Sequence, residues 1–166
     1  MKVLVFGPSG AGKSYLSKEL KKHGLNTVDA DTIDEFSVWY DGNRNKVEYP
    51  EDADAEFFDN HSFLWDKSYL ESFLNKTPNI YVFGCSGNIF DMVDLFDKVF
   101  YLDVPHEIMN DRLQHKTRDN PMGKTEYQRQ NAVAWGNELK QKAKDLGITF
   151  VDATRNPEDI YKVITK

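Results

Sequence analysis

Eight consecutive residues, Gly7-Pro8-Ser9-Gly10-Ala11-Gly12-Lys13-Ser14, have the types and spacing G-x-x-x-x-G-K-[ST] of a phosphate-cradling loop. Glycines let backbone amides turn onto phosphate oxygens, and a following helix N-terminus adds partial positive charge. Lys13 is placed to reach β- and γ-phosphates, and Ser14 to ligate Mg2+. Gly7, Ser9, Gly10, Ala11, Gly12 and Tyr15 would line the nucleotide beside them. Such a loop works only between a strand and a helix. The apolar run Val3-Leu4-Val5-Phe6 supplies the strand, and Tyr15 to Leu20 reads as the helix.

Two carboxylates, Asp29 and Asp31, follow a second short apolar run at Thr27-Val28. At the end of a parallel strand they would enter the crevice beside the phosphate loop. There a carboxylate can hold Mg2+ through water or take the proton of an attacking hydroxyl. Asp31 also stands where a helix N-cap would. Asp103 closes the run Val99 to Leu102, the pattern of an aspartate that assists Mg2+ through water, or of one making local backbone bonds before Pro105. Arg112, Lys116, Arg118 and Lys124 form a basic cluster around a Pro/Gly-broken stretch, 118–124. Phosphoryl transfer needs such charge on the migrating group when the site closes, so Arg112 and Arg118 are candidates for phosphate. Otherwise they cover a solvated helix face. Ser86, in Gly84-Cys85-Ser86-Gly87-Asn88, and Thr154, after the last strand, are candidates for acceptor and nucleotide respectively. Cys85 reads as an inert buried thiol, and the four histidines show no metal-ligand spacing.

The 166 residues alternate short apolar runs with amphipathic stretches, which specifies an α/β fold: a parallel sheet with helices on both faces. The strands fall at Val3–Phe6, Thr27–Val28, Ile80–Phe83, Val99–Leu102 and Thr149–Val151. Helices are expected over 14–23, 61–75, 106–117 and 125–146, with a last one opening at Asn156-Pro157. One domain is expected, with an acceptor-binding insert at about 36–60 and a lid at about 118–124. The insert is long, acidic and aromatic. From Asp29 to Asp66 there are twelve Asp and Glu against Arg44 and Lys46 alone, so an anionic acceptor would be repelled unless Arg44 compensates. Asp31, Phe36, Arg44 and Ser86 are the candidate acceptor contacts. Trp39, Tyr40, Tyr49, Phe57, Phe58 and Trp65 offer rings for stacking, or pack the insert onto the sheet. Net charge −6 argues against nucleic acid or an anionic membrane as partner, and a single cysteine fits a reducing, cytoplasmic setting. A monomer or homodimer is expected.

With these motifs in place, the chain resembles the small P-loop kinases of the adenylate kinase, shikimate kinase and nucleoside kinase-like branch over nearly its whole length. The resemblance implies a three-layer P-loop NTPase fold with a five-stranded parallel sheet of order 2-3-1-4-5. It also implies ATP and Mg2+ on Lys13 and Ser14, Asp31 or Asp29 near metal and acceptor, and lid arginines on phosphates. Asp29-x-Asp31 is similar to shikimate kinases, but the turn at Gly84 lacks their glycine triplet. The expected activity is ATP-dependent phosphorylation of a small molecule, a nucleoside-like hydroxyl compound first and a nucleoside monophosphate second. A regulatory ATPase or switch without a small-molecule acceptor is the alternative from another class. A guanine-reading N-K-x-D is absent, the nearest match being Asn45-Lys46-Val47-Glu48.

Overall fold

The computed structural model describes residues 1–115 and 121–166. Lys116, Arg118 and the first part of the expected lid lie outside the described residues. In chain order the elements are β1 (Lys2–Phe6), α1 (Lys13–Lys22), β2 (Thr27–Asp29), β3 (Ser37–Asp41), β4 (Lys46–Val47), α2 (Ala55–Asn60), β5 (His61–Trp65), α3 (Lys67–Lys76), β6 (Ile80–Phe83), β7 (Lys98–Asp103), α4 (His106–Gln114), α5 (Glu126–Asp145), β8 (Thr149–Asp152) and α6 (Pro157–Ile164).

Five strands form one parallel sheet in the order β2-β6-β1-β7-β8. Counted among themselves, these strands run 2-3-1-4-5, the order expected. The central strand β1 is apolar and buried from Val3 to Phe6 because both of its faces are covered there. Val3 and Val5 face a core with Leu16 and Leu20 of α1 and Ile160 and Ile164 of α6. Leu4 and Phe6 face a second core with Leu70 and Leu74 of α3 and Leu139 and Ala143 of α5. The result is three layers, with the strand C-termini and the loop after β1 on one edge. Among the described residues no helix is long and apolar enough to cross a membrane.

Residues 61–75 depart from the helix expected there. His61–Trp65 is a strand, and only Lys67–Lys76 is helical. Asp66 divides them, its carboxylate accepting from the Tyr69 amide at 2.9 Å as the α3 N-cap. The β5 backbone pairs antiparallel with β3, Ser37 opposite Trp65 and Trp39 opposite Phe63, and β4 completes a three-stranded sheet. The insert therefore extends past residue 60 to Trp65. Its aromatics pack on one another: the Trp39 ring lies 5.1–5.9 Å from those of Tyr49, Phe57, Phe58 and Phe63.

Phe36 needs correction as an acceptor contact. It is only 2% exposed, with its ring 4.8 Å from Trp65 and 5.6 Å from Tyr69. It is the apolar peg that seats the insert on the main sheet. Phe36→Ala is expected to lower the unfolding free energy by about 3–5 kcal/mol in a denaturant titration. A change of about 0.5 kcal/mol or less, the size of a surface substitution, would return Phe36 to the site.

Candidate active site

The loop between β1 and α1 is shaped before any ligand arrives. Gly10 has φ +84°, and a Cβ there would lie 2.9 Å from both Met109 Cγ and the Met109 carbonyl of α4. The loop can therefore press onto α4 only with glycine at this position. The α1 helix starts at Lys13 without a side-chain cap and without an acidic residue in its first turn. Its first amides and the positive end of its dipole are left for an anion. Lys13 is buried, and its ammonium donates to the carbonyls of Gly7 at 2.9 Å and Pro8 at 3.1 Å, curled over its own loop. Ser14 and Tyr15 are exposed at the mouth.

Asp31 lies in the single 3-10 turn that follows β2, and it does not cap a helix. Its Oδ1 accepts from the Cys85 amide at 2.9 Å and from the Trp65 indole N–H at 3.3 Å. Burial pushes its pKa up to about 6; the Lys13 ammonium pulls the other way, and Asp29 adds to the rise. Asp29 Oδ1 is itself buried without a hydrogen-bond partner. Two carboxylates that crowd each other, one of them with an unsatisfied oxygen, suit a cation or a donated proton. Mg2+ is bound by oxygen, keeps most of its waters and needs few carboxylates. The exposed Ser14 and the buried, unpartnered Asp29 oxygen fit that chemistry. Among the described residues no three His, Cys, Asp or Glu gather as a cage.

Gly84 makes this geometry possible. A Cβ there would lie 2.5 Å from Trp65 Cζ2 and 2.8 Å from Asp31 Oδ1. The next residue, Cys85, is buried, and its thiol is pushed up to about 12. It is neutral and inert, as the sequence suggests. Ser86 is not an acceptor contact in this arrangement. It is 1% exposed and donates to Asn88 Oδ1 at 2.9 Å. Asn88 in turn accepts from the Trp65 amide and donates to the Trp65 carbonyl. The turn is thus a clamp on β5, which is why its polar groups face inward.

Asp103 ends β7 in an ion pair. Its carboxylate accepts from Lys140 of α5 at 2.6 Å. Tyr101 and Asp103, two apart on β7, share the face on which α5 packs, so the strand's alternation aims Asp103 at Lys140. This pair borders a cavity of about 250 Å³ between β7, α4 and α5. Arg112 spans two loops. Its Nη1 donates to the carbonyls of Gly10 and Ala11, and its Nη2 to that of Ala153 after β8. It braces the phosphate loop from behind Gly12, with Nη1 3.5 Å from where a Gly12 Cβ would be. Thr154 closes a turn on Asp152, at 2.6 Å through its hydroxyl. Arg44 sits exposed in the β3–β4 turn, and no ion pair to it is found among the described residues. Arg118 lies outside them.

Gln128 joins two segments beside the loop, a role the sequence does not announce. It is buried in the first turn of α5 and bonds both the 123–125 segment and the insert. Thr125-x-x-Gln128 is a legible capping box, but the partners in the insert are not local. In sequence Trp65 is one ring among several; its indole N–H to Asp31 is a tertiary contact.

This arrangement of sheet order, phosphate loop and strand-end carboxylates is the fold of the small P-loop kinases. The chain belongs to the AAA domain family, whose model matches residues 3–134. Among solved structures it is similar to shikimate kinase from Acinetobacter baumannii in complex with shikimate, at 15% identity over 99% of this chain and 92% of that one, TM-score 0.60. It is also similar to shikimate kinase from Aquifex aeolicus, at 15% identity over 99% and 94%, TM-score 0.57. A sugar kinase from Janibacter matches at 18% identity over 99% and 92%, TM-score 0.55. These likenesses establish the fold. No curated protein matches the chain in sequence.

The raised pKa of Asp31 has a thermodynamic sign. The folded chain holds this proton up to about pH 6, whereas an unfolded aspartate releases it near about 3.9. Between those values the folded state binds more protons, so stability falls as pH rises, and the loss is complete above the folded pKa. Asp31→Asn should match wild type in Tm near pH 4 and exceed it at pH 8. A variant several degrees less stable than wild type at pH 8 would contradict the assignment. Gly84→Ala is expected to lower Tm at both pH values, because the methyl displaces the indole and the carboxylate together.

Proposed function

We propose that the protein is an ATP- and Mg2+-dependent kinase that phosphorylates a free hydroxyl of a small neutral or cationic molecule, with nucleoside-like compounds the first class to test. We read residues 1–166 as one kinase domain carrying an acceptor insert and a lid. The observation that carries the proposal is Asp31. It is a desolvated carboxylate with pKa about 6, held by the Cys85 amide and the Trp65 indole. It feels the charge of Lys13, whose ammonium is already folded over the phosphate loop.

In this reading Lys13 leaves the Gly7 and Pro8 carbonyls and donates to the β- and γ-phosphates, while the α1 amides hold the phosphate oxygens. Ser14 and Asp29 would be the oxygen donors that hold Mg2+, which would supply neutralisation of negative charge. Asp31 accepts the proton of the attacking hydroxyl and orients that oxygen in line. Arg112 keeps the loop rigid while this happens. Most of the rate comes from positioning and fixed charge, since the protein forms no covalent bond to phosphorus.

The acceptor class follows from where charge lies. Many of the insert's acids serve its own fold. Asp41 closes its hairpin through Asn43 and Asn45, Asp54 and Asp66 cap helices, and Glu51 pairs with Lys124. What remains at the strand edge is Asp29 and Asp31, while Arg44 stands in the exposed hairpin turn. An acceptor phosphate would meet two carboxylates with no described cation from the insert to offset them.

Purified protein with Mg·ATP and a panel of nucleosides, sugars, aminoglycosides and nucleoside monophosphates tests the proposal. At least one uncharged or cationic hydroxyl compound should accelerate ATP consumption more than any monophosphate does. Slow hydrolysis indifferent to every acceptor would contradict the kinase and favour a nucleotide switch. Lys13→Ala should cut turnover on the order of 100-fold or more with Tm retained. For wild type, kcat/KM should rise tenfold per pH unit below about 6 and level off above it, because Asp31 must be ionised to accept the proton. Asp31→Asn should lose this limb.

A further inference from the structure

We propose that Gln128 is a positioning residue that ties the nucleotide side of the cleft to the acceptor insert, so that occupancy of the phosphate loop orders the insert. The inference rests on reading that loop as a nucleotide site.

Gln128 is 1% exposed, in the first turn of α5. Its Oε1 accepts from the amides of Gly123 at 3.0 Å and Lys124 at 2.9 Å, and at 3.4 Å from Thr125. Its Nε2 donates to the carbonyls of Glu51 at 2.9 Å and Ala53 at 3.1 Å. A capping box uses only the Thr125 bond. The remaining bonds use both amide protons and saturate the carbonyl oxygen, and two of them join segments that are 75 and 77 residues from Gln128 in sequence. Only a side chain with a donor end and an acceptor end satisfies both segments. Glutamate would set a second oxygen against two carbonyls. Alanine would leave all of these groups unpaired in a dry site.

The two ends of this contact lead to the two sides of the cleft. On one side, Ser9 of the phosphate loop donates to Met122 Sδ at 3.1 Å, immediately before Gly123. On the other, Ala53 precedes Asp54, the cap of α2, whose Phe57 and Phe58 pack on Trp39 of the insert. The Lys124–Glu51 ion pair at 2.8 Å spans the same joint, though as an exposed pair it contributes little alone. Ser9, Met122 with the adjoining Gly123, Gln128 and Ala53 form a continuous path from phosphate loop to insert. A nucleotide that fixes Ser9 has a physical route to order residues it does not touch.

Hydrogen exchange tests this on the full chain, free and with Mg2+ plus the non-hydrolysable analogue AMP-PNP. In free wild type the amides of 51–58 and 122–125 should be protected. Gln128→Ala should speed exchange in both by about tenfold or more and leave 80–83 of β6 unchanged. Gln128→Glu should free 51–58 while 122–125 keeps most of its protection. The analogue should protect 7–16 in all three proteins and extend protection to 51–58 in wild type only. Unchanged exchange of 51–58 in free Gln128→Ala would overturn the proposal. So would analogue-induced protection of 51–58 that persists in that variant. Should 7–16 gain no protection in wild type, the nucleotide reading itself fails and the ordering of the insert by nucleotide fails with it. The free-state comparison then reports separately on the joint.

Discussion

The site depends on one crowded contact: the Asp31 carboxylate seated against Gly84, under the Trp65 indole and on the Cys85 amide. Three parts of the chain meet there. The end of β2 brings the carboxylate, the turn after β6 brings the amide, and the insert brings the indole. The absence of a side chain at residue 84 lets all three close together. Desolvation at this point raises the carboxylate's pKa, so the same packing that joins the insert to the sheet also sets the basicity of Asp31. Such a contact is costly for stability and useful for chemistry, the usual balance at a site that must be both dry and charged.

Around that contact, three polar residues make bracing hydrogen bonds. Asn88 grips the Trp65 backbone from both sides, Ser86 holds Asn88, and Arg112 links the phosphate loop to the loop after β8. The phosphate loop and Asp31 are each held by several hydrogen bonds, and Lys13, whose charge acts on Asp31, is bonded to the loop carbonyls of Gly7 and Pro8. Preorganisation of this kind suits a transfer in which the protein contributes position and charge.

Much of the fold is legible in the sequence because its signals are local. A fully apolar strand, a glycine loop and an amphipathic helix each declare themselves within ten residues, and the strand order follows from the family resemblance. The losses share a different cause. His61–Trp65 has spacing compatible with a helix, and it becomes a strand because β3 offers it a partner. Phe36 and Ser86 look available in sequence, but tertiary packing buries them. Asp103 carries the pattern of a metal-assisting acid, and Lys140, 37 residues on, claims it. Gln128 announces its cap but not its partners in the insert. Local residue types specify elements and the phosphate cradle; which polar groups are free to act is decided by neighbours distant in sequence.

The most direct test of the central claim is a carboxyl-carbon NMR titration of Asp31 in the wild-type chain and in Lys13→Ala. The wild-type midpoint should lie near 6 and rise once the ammonium that favours the ionised form is gone. A midpoint close to that of a free aspartate in both proteins would mean that Asp31 is solvated and does not face Lys13. It would then not be the group that receives the acceptor's proton.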